Sequence, residues 1–132
     1  MKESAMLHVQ ESRGTVDQTV ERLTAAVEAH KFGVLGVIDL KAKMIAKGVA
    51  FSPACRILEV CNPHQAKIVL ESNMAVSTAL PCRICVYEEG GKVKVATLKP
   101  TALIGQFGSP ELEPVARDVE AALLQAINQA CK

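Results

Sequence analysis

Two stretches of the chain repeat their apolar positions at helical spacing, and most of the others read as short strands. Val16, Val20, Leu23 and Val27 fall at i, i+4, i+7 and i+11, one face of a helix. Thr15 ahead of them is an N-cap, and Gln18 stands at the N3 position of a capping box. His30 and Lys31 suit a helix C-terminus, where cations are favoured, and Gly33 is the expected stop. The second stretch, Leu112, Val115, Val119, Leu123 and Ile127, padded by Ala116, Ala122 and Ala126, predicts a long final helix. Ser109 and Pro110 supply its expected N-cap and first-turn proline.

Between these helices the period changes. Residues 5–10 form a mixed run that predicts a first strand, and 34–38 a nearly continuous apolar one around Gly36. Asp39 is placed to cap a second helix over 40–47, which Gly48 ends. Residues 55–60 predict the next strand, closed by the turn signal Asn62-Pro63. A short helix follows over 64–71 with Ile68 and Val69 facing inward, and 72–80 fits either helix or loop. Residues 82–89 and 92–98 flank Gly90-Gly91 as a hairpin. Val93 and Val95 face one way and Lys92 and Lys94 the other, so one side of the sheet is expected to be wet. Residues 105–108 lead into the last helix. The order predicts one α+β domain over 1–132, its helices packed on one face of a largely antiparallel sheet.

Composition removes several classes of function. Lys plus Arg number 15 against 14 Asp plus Glu, a formal charge of +1, without the basic excess of a nucleic-acid binder. Aromatic residues make up 3%, too few for a base-stacking platform, so no nucleic-acid partner is expected. No apolar run approaches the roughly 20 residues that span a bilayer, and residues 1–14 carry no apolar secretory segment. The expectation is therefore a cytoplasmic protein with no membrane association. Its five cysteines, an odd number, are expected to be reduced thiols.

Chemistry is concentrated in Cys61 and Cys82. Twenty residues separate them, one short helix and a return segment. A helix of about 8 residues advances ~12 Å, which an extended return covers. The excursion therefore brings the chain back to where it left the sheet. Pro63 and Pro81 stiffen the two approaches. Two thiols on braced turns suit a soft metal ion, zinc or copper, or sulfur exchange. The plain alternative, that both are small buried hydrophobes, stays open. His64 is a candidate third metal ligand or an exposed first-turn residue, and Asn62 either holds a ligand or organises its turn. Arg83 offers an anion-binding fork beside Cys82 and a means of lowering its thiol pKa. Strand parity sends Cys82 and Cys85 of Cys82-Arg-Ile-Cys85 to opposite sides, so Cys85 is expected in the core. Cys55 shares parity with Cys61 but lies about 20 Å along a straight strand. Cys131 is expected to be a frayed surface thiol. His8 and His30 read as structural, and Lys41, Lys43 and Lys47 as a solvated helix face.

Phe32-Gly33-Val34-Leu35, Ile38-Asp39, Cys61-Asn62-Pro63, Leu80-Pro81-Cys82 and Val86-Tyr87-Glu88 occur in an order that resembles the bacterial and archaeal domain-of-unknown-function family 302. Cys-Asn-Pro and Leu-Pro-Cys are its specific elements. The resemblance implies a TATA-binding-protein-like α+β domain and a homodimer, and implies no established activity. Glu59-Val60 and Ser77-Thr78-Ala79 depart from the family pattern and make the cysteine surroundings more polar.

Two functions are expected from these residues. One is a binding module in which Cys61, Asn62, Cys82 and Arg83, with His64 as a metal ligand, receive a metal ion, a persulfide sulfur or a small thiol-reactive molecule. The other is a dimeric interaction domain whose cysteines only pack. An enzyme with Cys61 or Cys82 as nucleophile is the weaker expectation, since no base and orienting partner are recognisable.

Overall fold

The computed structural model describes residues 5–132. Strand β1 runs Leu7–Ser12, two residues beyond the predicted run. Its polar end is held by hydrogen bonds instead of apolar contact. Ser12 and Thr19 share a buried hydroxyl–hydroxyl bond of 2.6 Å, and Gln10 Nε2 donates to Asn128 Oδ1 at 3.0 Å.

Helix α1, Val16–Ala29, opens on the expected capping box. Gln18 N donates to Thr15 Oγ1 at 3.1 Å, and Thr15 N to Gln18 Oε1 at 3.0 Å. The helix ends at Ala29 with His30 as C-cap, and its left-handed stop comes two residues before Gly33. Lys31 takes the left-handed conformation (φ 69), and its N–H reaches Glu28 O at 3.0 Å while that of Phe32 reaches Val27 O at 2.9 Å. This is the Schellman arrangement, with the buried Phe32 as its apolar partner. Gly33 is therefore free to begin strand β2, Gly33–Asp39.

Asp39 Oδ1 accepts from Ala42 N at 2.9 Å and caps α2, Leu40–Ala46, which Gly48 follows at φ 79. Strand β3 is Cys55–Cys61 and α3 is Pro63–Ser72. Only Val69 of α3 is fully buried; Ile68, expected inward, is 50% exposed because α3 covers the end of the sheet along one narrow row. The ambiguous segment is a 3₁₀ turn, Met74–Ala79. Strands β4, Cys82–Glu89, and β5, Lys92–Leu98, form the hairpin, with Gly90 and Gly91 both at positive φ. A short helix that patterning did not reveal, α4, spans Pro100–Ile104. Ser109 caps nothing with its side chain, because Pro110–Leu112 is a separate 3₁₀ turn and α5 starts later, Glu113–Cys131.

The strands lie in the order β1-β5-β4-β3-β2 and every neighbouring pair is antiparallel. Helices α1 and α5 pack together on one face. Beneath them Leu58, Val60, Ile84, Val86 and Val95 are fully buried, meeting Leu23, Val27, Leu123 and Ile127. Alternate residues of the same strands, among them Cys55, Ile57, Glu59, Arg83, Cys85 and Tyr87, lie on the other face. A second, smaller core of Val69, Val76, Ile104, Leu112 and Ala116 joins α3, α4 and α5 at one end of the sheet. Glu120 Oε1 accepts from Thr101 N at 3.1 Å and Thr101 Oγ1 at 2.7 Å, which fastens α4 to α5. No helix of the described residues is long and apolar enough to cross a membrane.

Candidate functional site

The end of the sheet bordered by this second core holds the candidate site. Cys61 closes β3 where the chain turns into α3, and Val60 just before it is the cross-strand partner of Cys82, the first residue of β4. Both cysteines line one cleft, walled by Phe32, Leu80, Pro100 and Leu103 and overlaid by Val69. The enclosed part of the cleft is about 40 Å³, space for a few water-sized groups, and its mouth is open to solvent. Apart from Asn62 and Gln65, its lining is cysteine and apolar side chains.

The sequence makes this corner by local rules. Asn62 Oδ1 accepts from His64 N at 3.1 Å and Gln65 N at 3.2 Å, and Pro63 occupies the first helical turn. Asn62 is thus the N-cap of α3, as well as a cleft-lining residue. On the return path the 3₁₀ turn and a cis Leu80–Pro81 bond deliver Cys82 to the sheet beside β3.

The thiols are held in the protonated form. Burial pushes Cys82 up to about 11, and the nearby Cys61 adds to the shift, so the two sulfurs are within electrostatic reach of each other. Cys61 is raised as well, by burial. At neutral pH about one Cys82 in ten thousand is a thiolate. Arg83 does not lower it. Arg83 projects from the opposite face of β4, is 67% exposed, and sits 3.7 Å from Glu59. It acts instead on Cys85, whose thiol burial raises and Arg83 partly offsets. The expected anion fork beside Cys82 is therefore displaced by one residue of strand alternation.

His64 is exposed on the outer turn of α3. Among the described residues no three His, Cys, Asp or Glu side chains converge as a metal-binding group, so the candidate site is a two-thiol site. Cys85, expected in the core, is only half-buried, because its neighbours Ile84 and Val86 take the core positions. Cys131, expected to fray, is 3% exposed. It ends α5 against the main core, with its carbonyl accepting from Arg13 N at 3.0 Å, and burial raises its thiol to about 11. Leu103, Ile104 and Phe32, which complete the cleft, carried no functional signal in the sequence: they are apolar residues whose meeting depends on α4.

An antiparallel α+β domain with a small thiol-lined cleft at one sheet end is thus the class that fold and site define. Residues 8–130 match the family described as Domain of unknown function DUF302, and the chain belongs to that family. The chain is similar to a solved structure, an uncharacterized conserved DUF302 protein from Bacillus stearothermophilus. The identity is 35%, the alignment covers 98% of this chain and 100% of the other, and the TM-score is 0.92. No curated protein matches the chain.

Proposed function

We propose that the protein is a binding module that takes a small soft ligand, a thiophilic metal ion foremost, between Cys61 and Cys82. The observation that carries this reading is the placement of both thiols on one apolar cleft that encloses about 40 Å³. The enclosed part suits an ion or a single sulfur atom. The raised thiol pKa values count against a nucleophile poised at neutral pH, for which a value near ambient pH is best. A soft cation has no such requirement, because its affinity for sulfur displaces the protons. Two thiols suit copper(I) better than zinc, whose protein sites normally have three or four protein ligands. Asn62 orders the turn that carries Cys61, and Gln65 provides a polar edge. A reducing compartment, the cytoplasm among them, keeps the thiols free as this reading requires.

Anaerobic titration with copper(I) against a chromophoric chelator tests the proposal. Uptake lower by one equivalent in both Cys61→Ser and Cys82→Ser is the expected result, whereas uptake unchanged in both variants overturns it.

The uncovered face of the sheet favours a second reading, a dimeric interaction domain. Leu7, Val9, Ile38, Ile57 and Leu98 share the face away from α1 and α5; the first four are partly buried and Leu98 is 46% exposed. Sedimentation of the intact chain as a dimer, with Cys61 and Cys82 inert to thiol reagents and to copper(I), is the outcome this reading requires.

A further inference from the structure

Four of the five cysteines lie on the adjacent strands β3 and β4, and two of them stay outside the cleft. The register sets Cys55 opposite Tyr87 and Cys85 opposite Ile57, so Cys55 and Cys85 are diagonal neighbours. Both belong to the face that α1 and α5 leave uncovered, and both are partly exposed. Diagonal neighbours in an antiparallel pair have Cα atoms about 7–8 Å apart, with the Cβ atoms somewhat closer. That is wider than the roughly 5.5–6 Å preferred by a disulfide, and suits two sulfurs with an atom between them.

We propose that Cys55 and Cys85 form a second two-thiol site, on the open face, for a soft monovalent cation of the copper(I) class. This inference does not depend on the cleft reading. Binding breaks two S–H bonds, forms two sulfur–metal bonds and releases two protons to solvent, with no change of oxidation state. No third ligand from His, Cys, Asp or Glu converges among the described residues, which fits a two-coordinate ion. The charged and titratable groups that act on the pair come from three strands. Burial raises both thiols; Asp39 at the end of β2 adds to the rise at Cys55, and Cys55 to that at Cys85. Arg83 on β4 offsets part of the rise at Cys85. Tyr87 flanks Cys55, and its phenol is raised by burial and Glu89, with smaller contributions from both thiols. The pair thus forms one electrostatic cluster on the open face of the sheet, separate from Cys61, which lies about 20 Å from Cys55 along β3.

Copper(I) stoichiometry of the intact chain, measured anaerobically against a chromophoric chelator, tests this. Cys55→Ser/Cys85→Ser is expected to take up one equivalent fewer than the unaltered protein. In a Cys61→Ser/Cys82→Ser background, one equivalent is expected to remain and to be lost on adding either Cys55→Ser or Cys85→Ser. Equal uptake by the unaltered protein and Cys55→Ser/Cys85→Ser overturns the proposal, as does uptake that survives with only one of these two thiols. If the Cys61→Ser/Cys82→Ser background fails to fold, the first comparison still decides the matter, since the open-face substitutions leave the core untouched. Failure of the cleft reading looks different: it leaves stoichiometry unchanged in Cys61→Ser/Cys82→Ser while the open-face loss persists.

Discussion

The two faces of the β3–β4 ladder are built from alternate residues of the same two short segments, yet they meet opposite conditions. Under α1 and α5, Leu58, Val60, Ile84 and Val86 lose all contact with water. On the other side Ile57, Glu59, Cys85 and Tyr87 keep part of theirs, and Arg83 most of it. One face specifies the fold, and the other is left with chemistry that the fold does not consume. Cys61 and Cys82 sit where the ladder ends, so they are neither sealed like the first group nor open like the second. That intermediate position is what makes a thiol usable: burial holds the proton while the cleft leaves a way in.

The comparison breaks most visibly in the core. Leu58→Ala should destabilise the domain by about 2–5 kcal/mol, since a fully buried side chain is lost and its space cannot close completely. Ile57→Ala, one residue away and partly exposed, should cost less, about 1–2 kcal/mol. Urea denaturation of both variants checks the contrast. Similar losses at the two positions would mean that the second face is also covered in solution, which would favour the dimeric reading.

A smaller effect is expected from pH. Cys82 moves from 9.0 to about 11 on folding, so above pH 9 the unfolded chain releases its thiol proton while the folded chain still holds it. Folding stability then falls as pH rises, with a slope of up to about 1.4 kcal/mol per pH unit for this group, until the folded thiol ionises. Below pH 9 the contribution is complete. Cys131 acts in the same direction over the same range. Denaturation midpoints between pH 8 and 11 should show a decline that Cys82→Ala reduces, and an unchanged slope in that variant would contradict the burial of this thiol.

These residues also show what a sequence can convey. Strand parity correctly separated Cys82 from Cys85, because alternation is a property of the backbone alone. The capping box at Thr15 was legible for the same local reason. Core membership was not, because it depends on which strand face the helices choose. Cys85 therefore looked buried from its apolar neighbours, and Cys131 looked exposed from its place near the end. The stop of α1 was misplaced because a lysine, not a glycine, adopts the left-handed turn, held there by the burial of Phe32. The cleft itself was half legible. Its two cysteines could be paired by the length of the excursion between them, but its apolar wall depends on α4, which has no periodic signal within five residues.

The smallest effect provides the sharpest discrimination between the two faces. Arg83 and Glu59 form an ion pair across β3 and β4 in which the arginine is 67% exposed. Screening by water leaves such a pair worth about 0–1 kcal/mol, so Arg83→Gln should barely move the denaturation midpoint. Its electrostatic effect should still be readable and should fall on one thiol only. Removing the guanidinium takes away the group that lowers Cys85, so the pH profile for alkylation of Cys85 should shift upward. Cys82 is next to Arg83 in the chain but faces the cleft, and its own shift comes from burial and Cys61. Its profile should stay in place. Alkylation followed by peptide mass spectrometry resolves the two cysteines, and an equal upward shift at Cys82 would show that Arg83 reaches around the strand into the cleft and joins the two faces electrostatically.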